Sequence, residues 1–190
     1  NQFPKLRDDV LKAWKKIMDS VPNSRLLLKC EALNSEYGRN MAREKLTRFG
    51  FDLNRVDLSR HEAEYLEKYQ QMDIALDTYP YPGGGTTCDA IYMGVPIITL
   101  RNERRSSRFA SSILQAIGFG ELVTESIEDY IDRAIGIASD PELIEVLHQT
   151  LRQKLLDTVA IQSQNYNHTL EDYYRVMLSE FRDDLLGLTE

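Results

Sequence analysis

Cysteine and histidine are scarce in this 190-residue chain: Cys30 and Cys88 lie far apart, and the three histidines are isolated from them and from one another. No C-x-x-C pair and no Cys/His ligand spacing results, so neither a disulfide framework nor a zinc site is suggested, and a reduced, cytoplasmic setting fits best. Long apolar runs are missing too. Nothing approaches the ~20 residues of a membrane span, and the N-terminus lacks the basic-then-apolar order of a secretory leader. Positive charge is in deficit, with 23 Lys and Arg against 30 Asp and Glu for a net charge of −7, the two signs interspersed. No basic face is therefore available for nucleic acid. With 42% hydrophobic residues the chain can still bury one sizeable core, so a single domain over 1–190 is expected.

Hydrophobic periodicity organises that domain. Leu6, Val10, Ala13, Trp14, Ile17, Met18 and Val21 recur at helical steps and stop at Pro22. Arg25 through Cys30 is short and apolar, as a buried parallel strand is. A helix with Met41, Ala42, Leu46 and Phe49 follows, closed by Gly50. The cycle repeats with a strand near 55–58, a helix over about 61–70, a strand at 73–76, a helix after a run of glycines, and a strand at 97–100. This alternation predicts an α/β fold over 1–138, a Rossmann-like parallel sheet with helices on both faces. Phe109, Ile113, Leu114 and Ile117 then form one helical face, and Ile127, Tyr130, Ile131, Ala134 and Ile135 another. Two longer helices are expected over 139–190, the first capped at Ser139-Asp140-Pro141, the second carrying Tyr166, Leu170, Tyr173, Tyr174, Met177 and Phe181. The chain opens at Asn1 and runs almost at once into a helix pattern, which reads as a boundary within a larger protein.

The most informative stretch runs from Asp77 to Ala90, between a strand and a helix. Gly83, Gly84 and Gly85 let backbone approach a ligand without Cβ obstruction, and the helix behind them presents free N–H groups and a positive dipole end to an anion. Thr86 and Thr87 add hydroxyl donors, and Asp89, one turn into the helix, can accept from ribose hydroxyls. The carboxyl edge of a parallel sheet is where open α/β folds hold ligands. The plainer alternative is a glycine loop with a threonine N-cap and Asp89 complementing the helix dipole. Neither a Walker loop nor G-x-G-x-x-G is present, which argues against kinases and dehydrogenases. His148 and His168 read as solvated or locally bonded. Cys88 reads as a small packed residue, and Arg101, Arg104, Arg105 and Arg108 either line the cleft or form a solvated loop.

The segment from Asp73 to Thr78 through Met93-Gly94-Val95-Pro96 resembles the signature of the O-linked N-acetylglucosamine transferase and SPINDLY family. The likeness extends to Asn1-Gln2 and Lys5, to Ala13-Trp14 and Val21-Pro22-Asn23-Ser24, and to Arg108 through Ser112 with the helices that close the chain. It implies the C-terminal nucleotide-sugar-binding lobe of a GT-B glycosyltransferase. It also implies a partner N-terminal lobe and helical TPR repeats outside this chain, and a protein acceptor.

That resemblance assigns roles residue by residue. Gln2 and Lys5 contact the donor diphosphate, Lys5 being the catalytic cation that stabilises charge developing on the leaving phosphate. No metal cofactor is then needed. Thr86 and Thr87 hold the β-phosphate and Asp89 the ribose, while Tyr65 stacks on the base and Lys68 follows one turn later. The backbone near Arg60 contacts the base edge. Several positions depart from the family: Gly84 stands where some relatives carry histidine, Gly85 replaces a threonine, and Tyr65 replaces a histidine. Glu62 falls where the animal enzymes have lysine. The expected donor is UDP-N-acetylglucosamine, transferred to serine or threonine of proteins. The alternatives are GDP-fucose, as in SPINDLY-type relatives, and a non-catalytic interaction module on the same fold. The chain by itself is expected to bind nucleotide without catalysing transfer.

Overall fold

A computed structural model of the chain describes residues 3–60 and 64–185. It divides into two compact units, Asn1–Lys154 and Leu155–Glu190.

The first unit alternates helix and strand. Helix α1, Asp8–Ser20, buries Val10, Leu11, Ala13, Trp14, Ile17 and Met18, while Asp8 and Asp9 occupy its first turn, where the dipole favours acid. Strand β1 (Leu26–Lys29) pairs in parallel with β2 (Val56–Ser59), Leu26 opposite Val56. Between them lies α2, Glu36–Arg48, whose N-cap Ser35 accepts a hydrogen bond from the Gly38 N–H at 3.0 Å. Strand β4 (Ile97–Leu100), buried along its whole length, is central to a second parallel ladder. It pairs with β3 (Ala75–Leu76) on one side and β5 (Val123–Thr124) on the other. Helices α3 (Gly85–Tyr92), α4 (Phe109–Ala116) and α5 (Ile127–Ala138) connect or follow these strands. The all-parallel α/β pattern is the Rossmann-like arrangement the periodicity predicts, although hydrogen bonding resolves it into a two-stranded and a three-stranded ladder.

Three expectations are corrected. The segment before β3 is a 3-10 helix over Tyr65–Gln71 and not an α-helix. Hydrogen bonds from Tyr65 and Tyr69 to α3 hold it in that tighter form. The last two helices are one, α6, Pro141–Leu185, because neither glycine nor proline interrupts the chain between those ends. Its start is capped as expected, Asp140 Oδ1 accepting from the Leu143 N–H at 2.9 Å. Phe109 does not join the apolar face of α4 but lies 56% exposed.

Positive-φ glycines end three of the helices: Gly50 after α2, Gly94 after α3 and Gly118 after α4. Gly94, at φ +82°, is also crowded, since a Cβ there would sit 2.7 Å from the His148 carbonyl oxygen of α6. At Gly50, φ +77°, the nearest atom to such a Cβ is the flexible Lys15 Cε at 3.4 Å. Gly94→Ala is therefore expected to lose about 2–3 kcal/mol, left-handed strain plus displacement of α6, and Gly50→Ala only about 1 kcal/mol. Chemical denaturation of the two variants checks the order; equal losses would contradict it.

Candidate functional site

The loop between β3 and α3 is held by one buried carboxylate. Asp77, 1% exposed at the carboxyl end of β3, accepts three hydrogen bonds. Its Oδ1 takes the N–H of Thr78 at 2.9 Å and of Gly83 at 2.8 Å, and its Oδ2 takes the Thr99 hydroxyl of β4 at 2.8 Å. The Asp77 backbone carbonyl accepts the Tyr130 hydroxyl of α5 at 2.9 Å, and that hydroxyl in turn accepts Trp14 Nε1–H of α1 at 2.9 Å. Thr78 Oγ1 closes the turn on the Tyr81 carbonyl at 2.8 Å. One residue thus fixes both ends of a six-residue turn and ties it to β4, α5 and α1.

The three glycines differ in what surrounds them. A Cβ at Gly83 would sit 2.5 Å from Thr86 Oγ1 and 2.7 Å from Thr87 Oγ1, so glycine lets the two hydroxyls close over the turn. A Cβ at Gly84 or Gly85 meets nothing within 4 Å. Gly84 is the N-cap of α3 and brings no side chain to the helix end, so the threonine N-cap of the plainer reading is not formed. The Gly84 carbonyl accepts from the N–H groups of Thr87 and Cys88, while those of Gly85 and Thr86 have no partner within the turn. Thr86 is exposed. Thr87 is fully buried, and its hydroxyl has no hydrogen-bond partner among the described residues.

Two sequence-distant pieces reach this turn. Lys5, half-buried at the start of the chain, donates from Nζ to the Pro82 carbonyl at 3.2 Å. From the 3-10 segment, the Tyr65 hydroxyl donates to Asp89 Oδ2 at 3.2 Å, and the Tyr69 hydroxyl to the Thr86 carbonyl at 3.4 Å. The Asp89 carboxylate raises the Tyr65 phenol above its ordinary range, and burial pushes Tyr69 up to about 12. Lys5, Tyr65, Thr86, Thr87 and Asp89 are thereby gathered around Gly84 and Gly85.

Other expected site residues stand apart. Arg60 is exposed at the exit of β2, and Lys68 is half-buried on the 3-10 segment. Neither makes a hydrogen bond or ion pair with the turn among the described residues. Gln2 and Glu62 lie outside the described residues. Burial, and secondarily Asp89, raises the Cys88 thiol, which fits a packed residue and not a reactive thiolate. His148 is bonded across the fold and not locally, its Nε2 lying 3.0 Å from the Asp73 carbonyl oxygen 75 positions earlier. Arg101 pairs with Glu125 and Arg108 with the Asn102 carbonyl, while Arg104 and Arg105 are exposed. Among the described residues no group of three or more His, Cys, Asp or Glu can hold a metal, and no helix is long and apolar enough to cross a membrane. Sequence reasoning missed Asp77, Thr99, Tyr130 and Tyr69 as supports of the turn. The available signal was an acid at the end of an apolar strand, where a buried charge needs donors.

Comparison with known proteins places this geometry. Residues 1–170 match glycosyl transferase family 41. The "probable UDP-N-acetylglucosamine–peptide N-acetylglucosaminyltransferase SPINDLY" of Hordeum vulgare is 32% identical over 96% of this chain. The UDP-N-acetylglucosamine–peptide N-acetylglucosaminyltransferase of Caenorhabditis elegans is 28% identical over 97%. A mutant O-GlcNAc transferase from Thermobaculum terrenum superimposes with a TM-score of 0.85 at 32% identity, covering 93% of this chain and 34% of that one. The chain therefore has the fold of the C-terminal, nucleotide-sugar-binding lobe of a GT-B glycosyltransferase. It spans only 20% of the length of the barley relative and 16% of the nematode one.

Removing the clamp has a defined cost. Asp77→Ala leaves three buried or partly buried donors unpaired and is expected to destabilise the fold by about 3 kcal/mol or more. Tyr130→Phe strands the Trp14 N–H and the Asp77 carbonyl, at about 1–3 kcal/mol. Alkali acts in the same direction. Burial raises Tyr69 and Tyr79 to about 12 and Tyr130 well above the ordinary phenol value of 10.0. The unfolded chain then ionises first, so the stability from these phenols is complete below pH 10 and is lost as pH climbs through their folded values. Thermal midpoints measured from about pH 8 to 11 should fall above pH 10, less steeply in Tyr130→Phe; a flat profile would refute this.

Proposed function

This chain belongs to glycosyl transferase family 41, and on that premise we propose that it is the donor-binding lobe of a protein glycosyltransferase. The donor is UDP-N-acetylglucosamine and the acceptor a serine or threonine hydroxyl of another protein. The relatives' names support this donor, since the barley and nematode proteins are both described as UDP-N-acetylglucosamine–peptide transferases. One juxtaposition carries the reading. The Lys5 ammonium rests on the Pro82 carbonyl, within the turn and directly before Gly83, where the end of α3 lacks a capping side chain and Gly84 and Gly85 border open space.

A diphosphate seated there meets the N–H groups that open α3, the Thr86 hydroxyl and the Lys5 ammonium. As the sugar leaves, charge grows on the β-phosphate, and these fixed donors stabilise it without reorganising. Such a mechanism uses no metal. Lys5 is the residue in contact with the leaving group, joined by Gln2. Asp89 holds the ribose, Tyr65 stacks on the base with the donor-site residue Lys68 one turn later, and the backbone near Arg60 contacts the base edge. The acceptor hydroxyl and the group that deprotonates it belong to the partner lobe, and TPR repeats select the acceptor protein.

Calorimetric titration of the 190-residue chain with UDP and with GDP tests this. UDP is expected to bind, and Lys5→Ala or Thr86→Ala to weaken it about tenfold or more through loss of a charge-assisted hydrogen bond. A clear preference for GDP would move the donor to GDP-fucose, a reading favoured by Tyr65 standing where UDP-using relatives are expected to carry histidine. No binding of either nucleotide would favour a non-catalytic interaction module. Robust transfer by the chain alone would contradict the placement of the acceptor chemistry outside it.

Thr87 offers a second test, because its buried hydroxyl has no partner among the described residues. Thr87→Val keeps the shape and removes an unsatisfied group, so the fold should be unchanged or about 1 kcal/mol more stable. Nucleotide affinity should fall nonetheless. A variant that binds as tightly as the parent would remove Thr87 from the site.

A further inference from the structure

The hydrogen bond between Tyr65 and Asp89 joins two residues to which separate ligand contacts are assigned. Asp89 is half-buried on α3, and its Oδ2 accepts from the Tyr65 hydroxyl at 3.2 Å. Four residues on, the Tyr69 hydroxyl donates to the Thr86 carbonyl at 3.4 Å, so the 3-10 segment is fastened to α3 at two points, Thr86 and Asp89. Tyr65 is 36% exposed as a whole residue, so it is not sealed in the core. A carboxylate has about four acceptor positions on two oxygens; with Oδ2 engaged, Oδ1 accepts no hydrogen bond among the described residues.

We propose that Tyr65 is a positioning residue for Asp89: its hydroxyl fixes the carboxylate in the rotamer that receives the ribose hydroxyls, while its ring bears on the base. The proposal rests on the donor-site reading above and deepens it. One side chain then couples base and ribose recognition. A carboxylate on a helix surface rotates about χ1 and χ2 among several wells, and each well but one misdirects its acceptors. A phenol carried on a segment that Tyr69 fastens to Thr86 selects one well before the ligand arrives, which lowers the ordering cost of binding. Histidine at position 65 would offer a shorter side chain; phenol reaches Asp89 with a donor that stays protonated.

Separating the hydroxyl from the ring is the test. UDP and GDP, and the 2′,3′-dideoxy form of each, are titrated against the 190-residue chain, Tyr65→Phe, Tyr65→Ala and Asp89→Asn. Tyr65→Phe retains the ring and is expected to bind the ribonucleotide about three- to tenfold more weakly. It should bind the dideoxy form within about twofold of the parent, since that ligand makes no use of the oriented carboxylate. Tyr65→Ala weakens both forms, and adding Tyr65→Phe to Asp89→Asn causes no further loss. Circular dichroism of the variants verifies that the fold is kept. Unchanged or tighter ribonucleotide binding by Tyr65→Phe, or an equal loss for the dideoxy form, would overturn the proposal while leaving the donor site standing. A parent chain that binds neither UDP nor GDP would overturn both.

Discussion

Three donors converging on the Asp77 carboxylate hold the site together. A charge 1% exposed at the end of a strand is costly unless its lone pairs are filled. Here the fill comes from the two ends of the turn and from the neighbouring strand. The geometry of the turn is consequently set from beneath, by the sheet, and not by its own short-range preferences. Because the Asp77 carbonyl also accepts from Tyr130, and Tyr130 from Trp14, packing of α1 against α5 is registered against the same residue. Movement of either helix strains a buried hydrogen bond that has no water to replace it.

That rigidity matters because the surface above the clamp is deliberately bare. Gly83 faces inward and is filled by the two threonine hydroxyls, whereas Gly84 and Gly85 face outward onto open space. The same residue type thus solves two opposite problems within three positions. One glycine removes a Cβ so the turn can close, and the next two remove Cβ atoms so that something else can approach backbone N–H groups. Side-chain donors that family resemblance leads one to expect at the outward positions are lacking, so backbone and the lysine from the chain's start carry more of the anion's charge in the proposed site.

Legibility in the sequence followed the range of the interactions. Strands, helices and the glycine turn follow from residues within about one or two turns of each other, and period, punctuation and caps disclosed them. Asp140 as a cap and the glycine ends of the helices are of this kind. The clamp is not. Trp14 reaches Tyr130 across 116 positions, and Lys5 reaches Pro82 across 77, distances at which pattern carries no information. Lys5 entered the site through family resemblance alone. The misread 3-10 segment shows the same limit from the other side. Tyr65, Leu66 and Tyr69 have helical spacing, but hydroxyl contacts with α3, made far along the chain, decide the final form.

Tyrosine at position 65 also changes how the site behaves electrically. A histidine beside Asp89 would titrate near its ordinary pKa of about 6.5, so the pair would alternate between a single negative charge and near neutrality within the physiological range. The phenol begins near 10, and the Asp89 carboxylate, followed by partial burial, pushes it higher still. The phenol therefore stays a neutral donor to Asp89 Oδ2 through the neutral range. In the proposed site a neutral partner suits ribose recognition, since a carboxylate neutralised by a neighbouring imidazolium holds its hydrogens less strongly. In that proposed site a diphosphate meets the Lys5 ammonium and the peptide N–H groups at the start of α3.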